Sequence, residues 1–259
     1  MIDDILIEAA DAAERSAQIN GDDYTGSDGL LYCGKCHTPK QCRVPIFGSE
    51  KIVYCVCDCE DRKIKEEKLR LRSEHLRGIC FSDEKYKAAR FSADDWKNGA
   101  LSKLCRRYVE TFSEKSKWLV IFGECGTGKS YAAAMIANAL IENGNLCRFV
   151  TISEIERLLW NNPDKSSVYE GLWQCDLLII DDFGAERSTD YMDEIKFNLI
   201  DGRMRSGRPC IITSNLSAEY FSAPGNLADR RLVSRIMERA ARCEVKGNDR
   251  RIKSKKEDA

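Results

Sequence analysis

The spacing of apolar positions changes along the chain, and each change predicts a different element. Residues 2–19 set Ile2, Ile5, Leu6, Ala9 and Ala13 on one helical face, which predicts a short amphipathic helix that packs on the chain's own body or docks a partner. Residues 21–29 turn to Gly, Asp, Ser and Thr and read as a loop. Residues 60–77 interleave seven basic with five acidic side chains among few apolar ones, the pattern of a solvated helical connector. From about Phe91 short apolar runs alternate with helical stretches, which predicts an α/β domain. The strands fall at 118–122, 147–152, 176–181, 210–214 and 243–246 and build one mainly parallel sheet. The expected organisation is therefore an N-terminal helix and loop (1–29), a small Cys-rich module (30–62), a charged linker (63–92) and the α/β domain (93–259).

Composition narrows the class. The 259 residues are 43% hydrophobic and 32% charged, enough for one sizeable core plus an appendage and unlike a disordered chain. The 41 Lys and Arg nearly cancel the 42 Asp and Glu, so a histone-like protein is excluded and any nucleic-acid contact must come from a local patch. No apolar run approaches the roughly 18 residues needed to span a bilayer, so no membrane association is expected. Acids at Asp3 and Asp4 stand where a signal peptide needs positive charge, and the expected compartment is the cytoplasm.

Thirteen cysteines are many for such a chain, and six of them fall between Cys33 and Cys59. The other seven sit mostly in or beside apolar runs, where a free Cys acts as a small hydrophobe. An odd number without a secretory signal argues for metal ligation over a disulfide framework. Cys33-Gly-Lys-Cys36 is a C-x-x-C knuckle, and Cys55-Val-Cys57-Asp-Cys59 supplies a second group twenty residues later. Cys33, Cys36, Cys57 and Cys59 are the expected zinc ligands; Cys55 is an alternative for one of the last pair, and Cys42 and His37 are further candidates. Four sulfurs leave no open coordination position, so this Zn²⁺ is expected to be structural.

The chemistry-bearing segment is Gly123-Glu-Cys-Gly126-Thr127-Gly128-Lys129-Ser130, a G-x-x-x-x-G-K-[ST] match placed after an apolar strand and before an Ala-rich helix. Glycines let backbone N–H groups curl around phosphate, Lys129 neutralises β and γ oxygens, and Ser130 is placed to ligate Mg²⁺. The apolar strand ending at Asp181-Asp182 supplies a second acidic edge: Asp181 takes the magnesium role, and Asp182 either orients the attacking water or caps a helix. The strand at 147–152 lies between these two in sequence, which permits an arrangement with another strand separating them in the sheet. A third strand, 210–215, ends at the same edge in Asn215, whose amide bridges water and γ-phosphate or simply makes a turn. Arg231 and Arg235 lie one turn apart on a later helix, either as a solvated face or with one of them reaching a neighbour's γ-phosphate.

These residues resemble the DnaC-type helicase loaders and the similar IstB-type transposition ATPases of the AAA+ class. The resemblance rests on residues 123–130, the helix 132–142 with Asn143-Gly144, Leu-Leu-Ile-Ile-Asp-Asp-Phe-Gly at 177–184, Ile-Ile-Thr-Ser-Asn-Leu at 211–216 and the helix around Ser234-Arg235. The cysteine groups, followed by Glu60, favour the loader branch. The resemblance implies a RecA-like P-loop ATPase fold, Asn215 as sensor 1, Arg235 as an arginine finger acting in trans with Arg231 as second choice, and an Arg after the last strand at Arg251. Only thirteen residues follow Lys246, too few for a helical lid, which puts sensor 2 in doubt. The implied function is ATP-controlled loading of a hexameric DnaB-like replicative helicase onto single-stranded DNA, with self-association through the ATPase domain; the alternative is an ATPase that assists a DNA transposase. The tail 246–256, with six basic residues against one acid, is a further candidate for phosphate contact.

Overall fold

The structure is a computed structural model that describes residues 21–46, 48–93, 99–187, 189–247 and 249. The helix expected at 2–19, Arg251 and most of the basic tail lie outside the described residues. The chain forms two compact units, 1–71 and 72–259.

The smaller unit is built from β-hairpins. β1 (Tyr24–Thr25) pairs antiparallel with β2 (Leu31–Tyr32), and β3 (Gln41–Ile46) with β4 (Ser49–Tyr54). Few of its apolar side chains are buried, so little hydrophobic stabilisation is available. Its buried polar group, Lys40, is paired with Asp23 at 2.7 Å. The helix α1 (Asp58–Cys80) then begins with three acids in its first turn, which suit the positive end of the helix dipole. Its 23 residues cover most of the expected charged linker, and only Ser73 and Cys80 are buried.

In the larger unit a five-stranded sheet runs in the order β6–β7–β8–β5–β9, with every neighbouring pair parallel. The strands are β5 (Trp118–Gly123), β6 (Cys147–Thr151), β7 (Leu177–Phe183), β8 (Cys210–Ser214) and β9 (Ala240–Val245). The three inner strands are covered on both faces, which is why they read as unbroken apolar runs. Side chains alternate between two cores: Trp118, Val120 and Phe122 face one side, Leu119 and Ile121 the other. The second side is filled by α4 (Lys129–Glu142), whose Ala-rich sequence permits burial nearly all round, together with α3 (Ala100–Glu110) and the short α2 (Glu84–Lys87). The first side carries α5 (Ile152–Asn161), α6 (Lys165–Gln174), α7 (Asp190–Ser206), α8 (Ala218–Ser222) and α9 (Leu227–Arg239).

Most strand boundaries fall within two residues of expectation, and the largest departure is at the sheet margin. β9 starts at Ala240 rather than at residue 243, because Ala240, Ala241 and Arg242 pair with Trp118, Leu119 and Val120 at the sheet margin. An edge strand with one solvated face has no need of an apolar run, so its first half carries little hydrophobic signal.

Candidate functional site

The sheet order sets the geometry of the larger unit's candidate site. β8 lies between β5 and β7, so the C-terminal ends of three parallel strands converge on one edge. β5 delivers the loop 123–128 into the N-terminus of α4. Gly123 adopts φ 132°, and a Cβ there would run into the carbonyl oxygen of Val245; Gly128 caps α4 at φ 94°, a left-handed conformation that favours glycine. The loop is tied internally by Thr127 Oγ1, which donates to the Glu124 carbonyl at 2.9 Å. Lys129 is 6% exposed, and its ammonium donates to the carbonyls of Gly123 (2.9 Å) and Glu124 (2.6 Å).

At the end of β7 the pairing with β8 shifts register between Ile180 and Phe183, and Asp182 adopts φ 53°. Such a bulge re-aims consecutive side chains, and Asp tolerates positive φ better than most residues. The two carboxylates consequently have different surroundings. Asp181 is buried and accepts a hydrogen bond from Thr213 Oγ1 at 2.5 Å, while the Asp182 N–H donates to the same Thr213 oxygen at 3.0 Å. Burial pushes the Asp181 carboxyl above its ordinary range; the Thr213 and Ser130 hydroxyls pull it back, and the neighbouring Asp182 charge raises it. Asp182 accepts from Asn215 Nδ2 at 2.7 Å. Gly123, Gly126, Thr127, Gly128, Lys129, Ser130, Asp181, Asp182 and Asn215 thus gather around one edge. Arg235 stands outside that group, paired with Asp201 on α7.

Three neighbours of this edge lie outside the phosphate-loop and acidic motifs. Thr213 bridges the two aspartates. Tyr86 lies beside Ser130, and Lys85 lies 4.4 Å from the Tyr86 ring centre and close enough to Asp181 to favour its charged form. Tyr86 is held by Phe149, 4.8 Å away between ring centres, and by Asn138, whose amide donates to the Tyr86 carbonyl at 2.8 Å. The Tyr86 and Lys85 contacts cross from α2 to the sheet and to α4 and leave no local pattern in the sequence.

The donor set at this edge fits a magnesium nucleotide. A buried carboxylate whose charge is costly and a serine hydroxyl near enough to favour that charge are hard oxygen donors beside the phosphate loop. Ser130 and Asp181 would hold the cation.

In the smaller unit the sulfurs of Cys33, Cys36, Cys57 and Cys59 all lie within 4.8 Å of one another. Cys33 and Cys59 are 3.6 Å apart and Cys57 and Cys59 3.4 Å, close to the ~3.8 Å between sulfurs on a tetrahedral zinc with ~2.3 Å bonds. The knuckle is shaped by Cys33 N–H donating to Thr38 O and His37 N–H to Cys33 O, with His37 at φ 57°. Burial pushes the Cys36 thiol up, but hydrogen bonds from the Thr38 hydroxyl and from backbone N–H groups bring it down to about 5, favouring the thiolate a metal requires. Cys42, Cys55 and His37 do not belong to this group: Cys55 Sγ donates to the Pro39 carbonyl at 3.4 Å, and His37 packs on Tyr24. The four sulfurs fit a structural Zn²⁺.

Strand order, phosphate loop and acidic edge together define a P-loop ATPase fold of the AAA+ class preceded by a cysteine cluster. A family model described as IstB-like ATP binding protein matches residues 59–258, and the chain belongs to that family. It is 30% identical over 145 residues to the replicative helicase loader DnaC of Escherichia coli (strain K12), covering 54% of this chain and 56% of the relative. It is 29% identical over 159 residues to the replicative helicase loader DnaI of Bacillus subtilis (strain 168), covering 56% of this chain and 51% of that one. The chain thus spans about half the length of these curated relatives. Crystal structures of DnaI and of the DnaC helicase loader share the fold, each at a TM-score of 0.57, with 23% and 24% identity over 68% and 63% of this chain and 98% and 100% of those chains. No helix among the described residues is long and apolar enough to cross a membrane.

Proposed function

We propose that this chain is an ATP-dependent loader of a replicative, DnaB-like hexameric helicase onto single-stranded DNA in DNA replication, with ATP binding and hydrolysis as the switch. The observation that carries the ATPase reading is the hydrogen bond from Asn215 to Asp182 at the edge shared with Lys129. The loader reading is supported by the two relatives named as replicative helicase loaders.

In this reading the N–H groups of residues 123–130 cradle the phosphates, and Lys129 leaves its two loop carbonyls to neutralise β and γ oxygens. Mg²⁺, when bound, supplies further neutralisation of phosphate charge. Asp182 orients the attacking water, and Asn215 fixes that carboxylate from β8 and meets the γ-phosphate as sensor 1. Arg235, or as second choice Arg231, stabilises the charge developing at a neighbouring protomer's γ-phosphate, so turnover is slow in the monomer and rises on assembly or with DNA. The zinc module is a rigid scaffold, not a second catalytic centre, and the protein acts in the cytoplasm.

Capture of the replicative helicase on immobilised protein, with and without ATP, tests the reading. Wild type should retain helicase in a nucleotide-dependent manner, and Lys129→Ala should lose both ATP binding and that dependence. The family match favours a second reading, an ATPase that assembles on duplex DNA and assists a transposase. Gel shifts separate the two: preference for single-stranded DNA supports the loader, and preference for duplex DNA supports the transposition partner.

A further inference from the structure

Three residues one turn apart on α7, Phe197, Asp201 and Arg205, form a stripe facing α9. Asp201 Oδ1 takes Nη1 of Arg235, and Asp201 Oδ2 takes Nη1 of Arg205 at 3.1 Å. The Arg235 guanidinium also lies over the Phe197 ring, with its central carbon 4.8 Å from the ring centre. Arg235 is thus gripped at one nitrogen and along one face, yet its side chain remains 39% exposed beside a surface pocket of about 540 Å³ lined by Arg230, Arg231 and Ser234. Arg231 is exposed, and no salt bridge to it is found among the described residues.

We infer that Asp201 and Phe197 are positioning residues for Arg235: they hold its planar fork in one orientation, with the remaining N–H groups turned out for a neighbouring protomer's γ-phosphate. The inference rests on the trans-acting role of Arg235 proposed above. An unheld arginine loses rotamer freedom when it is fixed. Stabilisation of a transition state is greatest when the donor is already in place before reaction. A carboxylate on Nη1 and an aromatic ring against the guanidinium face do this without occupying the outer nitrogens, and Arg205 in turn restrains the carboxylate. The same contacts distinguish Arg235 from Arg231, which has the same charge one turn earlier but no such support. α7 follows β7, the strand that carries Asp182, so the support for Arg235 belongs to the element next after the acidic edge.

Because Arg235 is expected to serve a neighbour's site, subunit mixing gives the test. ATP turnover is measured on the full chain against protein concentration, with single-stranded DNA present, for wild type, Arg235→Ala, Asp201→Asn, Asp201→Glu and Phe197→Ala, alongside nucleotide affinity. Asp201→Asn is expected to lower turnover at high protein concentration by about tenfold, less than the ~10³-fold that loss of an arginine finger costs, with ATP affinity unchanged. Phe197→Ala should show a smaller loss, and Asp201→Glu should restore most of the activity. An equimolar mixture of Asp201→Asn with Asp182→Asn should exceed either variant alone, since the second offers a well-placed Arg235 to the intact site of the first. If Arg235→Ala turns over like wild type, the trans-acting role fails and the inference with it. If Arg235→Ala is impaired but Asp201→Asn is not, the role of Arg235 stands and the positioning inference is overturned. If Asp201→Asn is impaired and mixing brings no recovery, the defect lies within its own protomer, which also overturns the inference.

Discussion

Asp181 is asked to be both buried and charged. Only 5% of its surface is exposed, and burial pushes its carboxyl above the ordinary range, so the ionised form is disfavoured in the folded protein. An acid with a raised folded pKa contributes stability that is fully present below its unfolded value and is lost as pH rises through the folded value. In the nucleotide-free protein the ionised form of Asp181 is therefore the destabilising one, and a divalent cation would compensate its charge. Asp181→Asn, which still offers an acceptor to Thr213, is expected to raise the nucleotide-free melting temperature by about 2–4 °C, corresponding to about 1 kcal/mol, while removing magnesium-dependent hydrolysis. Scanning calorimetry with a phosphate-release assay checks both; a lower melting temperature would contradict the account. Thr213→Val removes a hydrogen bond to the ionised form and should move the acid limb of the activity profile to higher pH. The loop 123–130, the paired aspartates and Asn215 are legible in the sequence because each ends a local, patterned element. Thr213, Lys85 and Tyr86 are not, because their relevance depends on register and on packing between segments far apart in the chain.

At the scale of elements, the least legible component is a single arginine. Arg203 on α7 is fully buried, and its guanidinium donates to the carbonyls of Leu172, Trp173, Cys175, Asp176 and Pro209 at 2.5 to 3.3 Å. It gathers the end of α6, the entry to β7 and the entry to β8 around the end of α7, and so satisfies chain ends that the sheet ladder leaves open. In the sequence Arg203 is one more basic residue in a helix's last turn, where the dipole already favours it. Arg203→Met is expected to cost about 3 kcal/mol or more, because several carbonyls lose their donor together, and to lower the denaturant midpoint without changing the slope. The central strands are readable for the opposite reason: two covered faces demand an unbroken apolar run, whereas β9 at the margin does not.

At the scale of the molecule, the two units depend on different sources of stability. The smaller has hairpins and four convergent sulfurs but little buried apolar surface, so zinc would provide most of its folding energy. The larger has two cores and no need of metal for its fold. Chelation, or Cys33→Ser with Cys36→Ser, should therefore make residues 21–57 susceptible to limited proteolysis while nucleotide binding by the larger unit persists. The C-x-x-C and C-x-C groups mark the smaller unit in the sequence, whereas its boundary within α1 leaves no mark, since a solvated helix carries the same charge pattern on both sides of it. The cysteines outside the four-sulfur group have a further consequence. Cys80, Cys105, Cys147, Cys175 and Cys210 are buried through both layers of the larger unit, and burial pushes the thiols of Cys80, Cys147, Cys175 and Cys210 up, whereas Cys125 lies exposed on the phosphate loop. A brief pulse of alkylating reagent should mark Cys125 within moments and reach the interior five only as fast as the domain opens, so the native chain contains both a tag for nucleotide occupancy and an internal clock for its own unfolding.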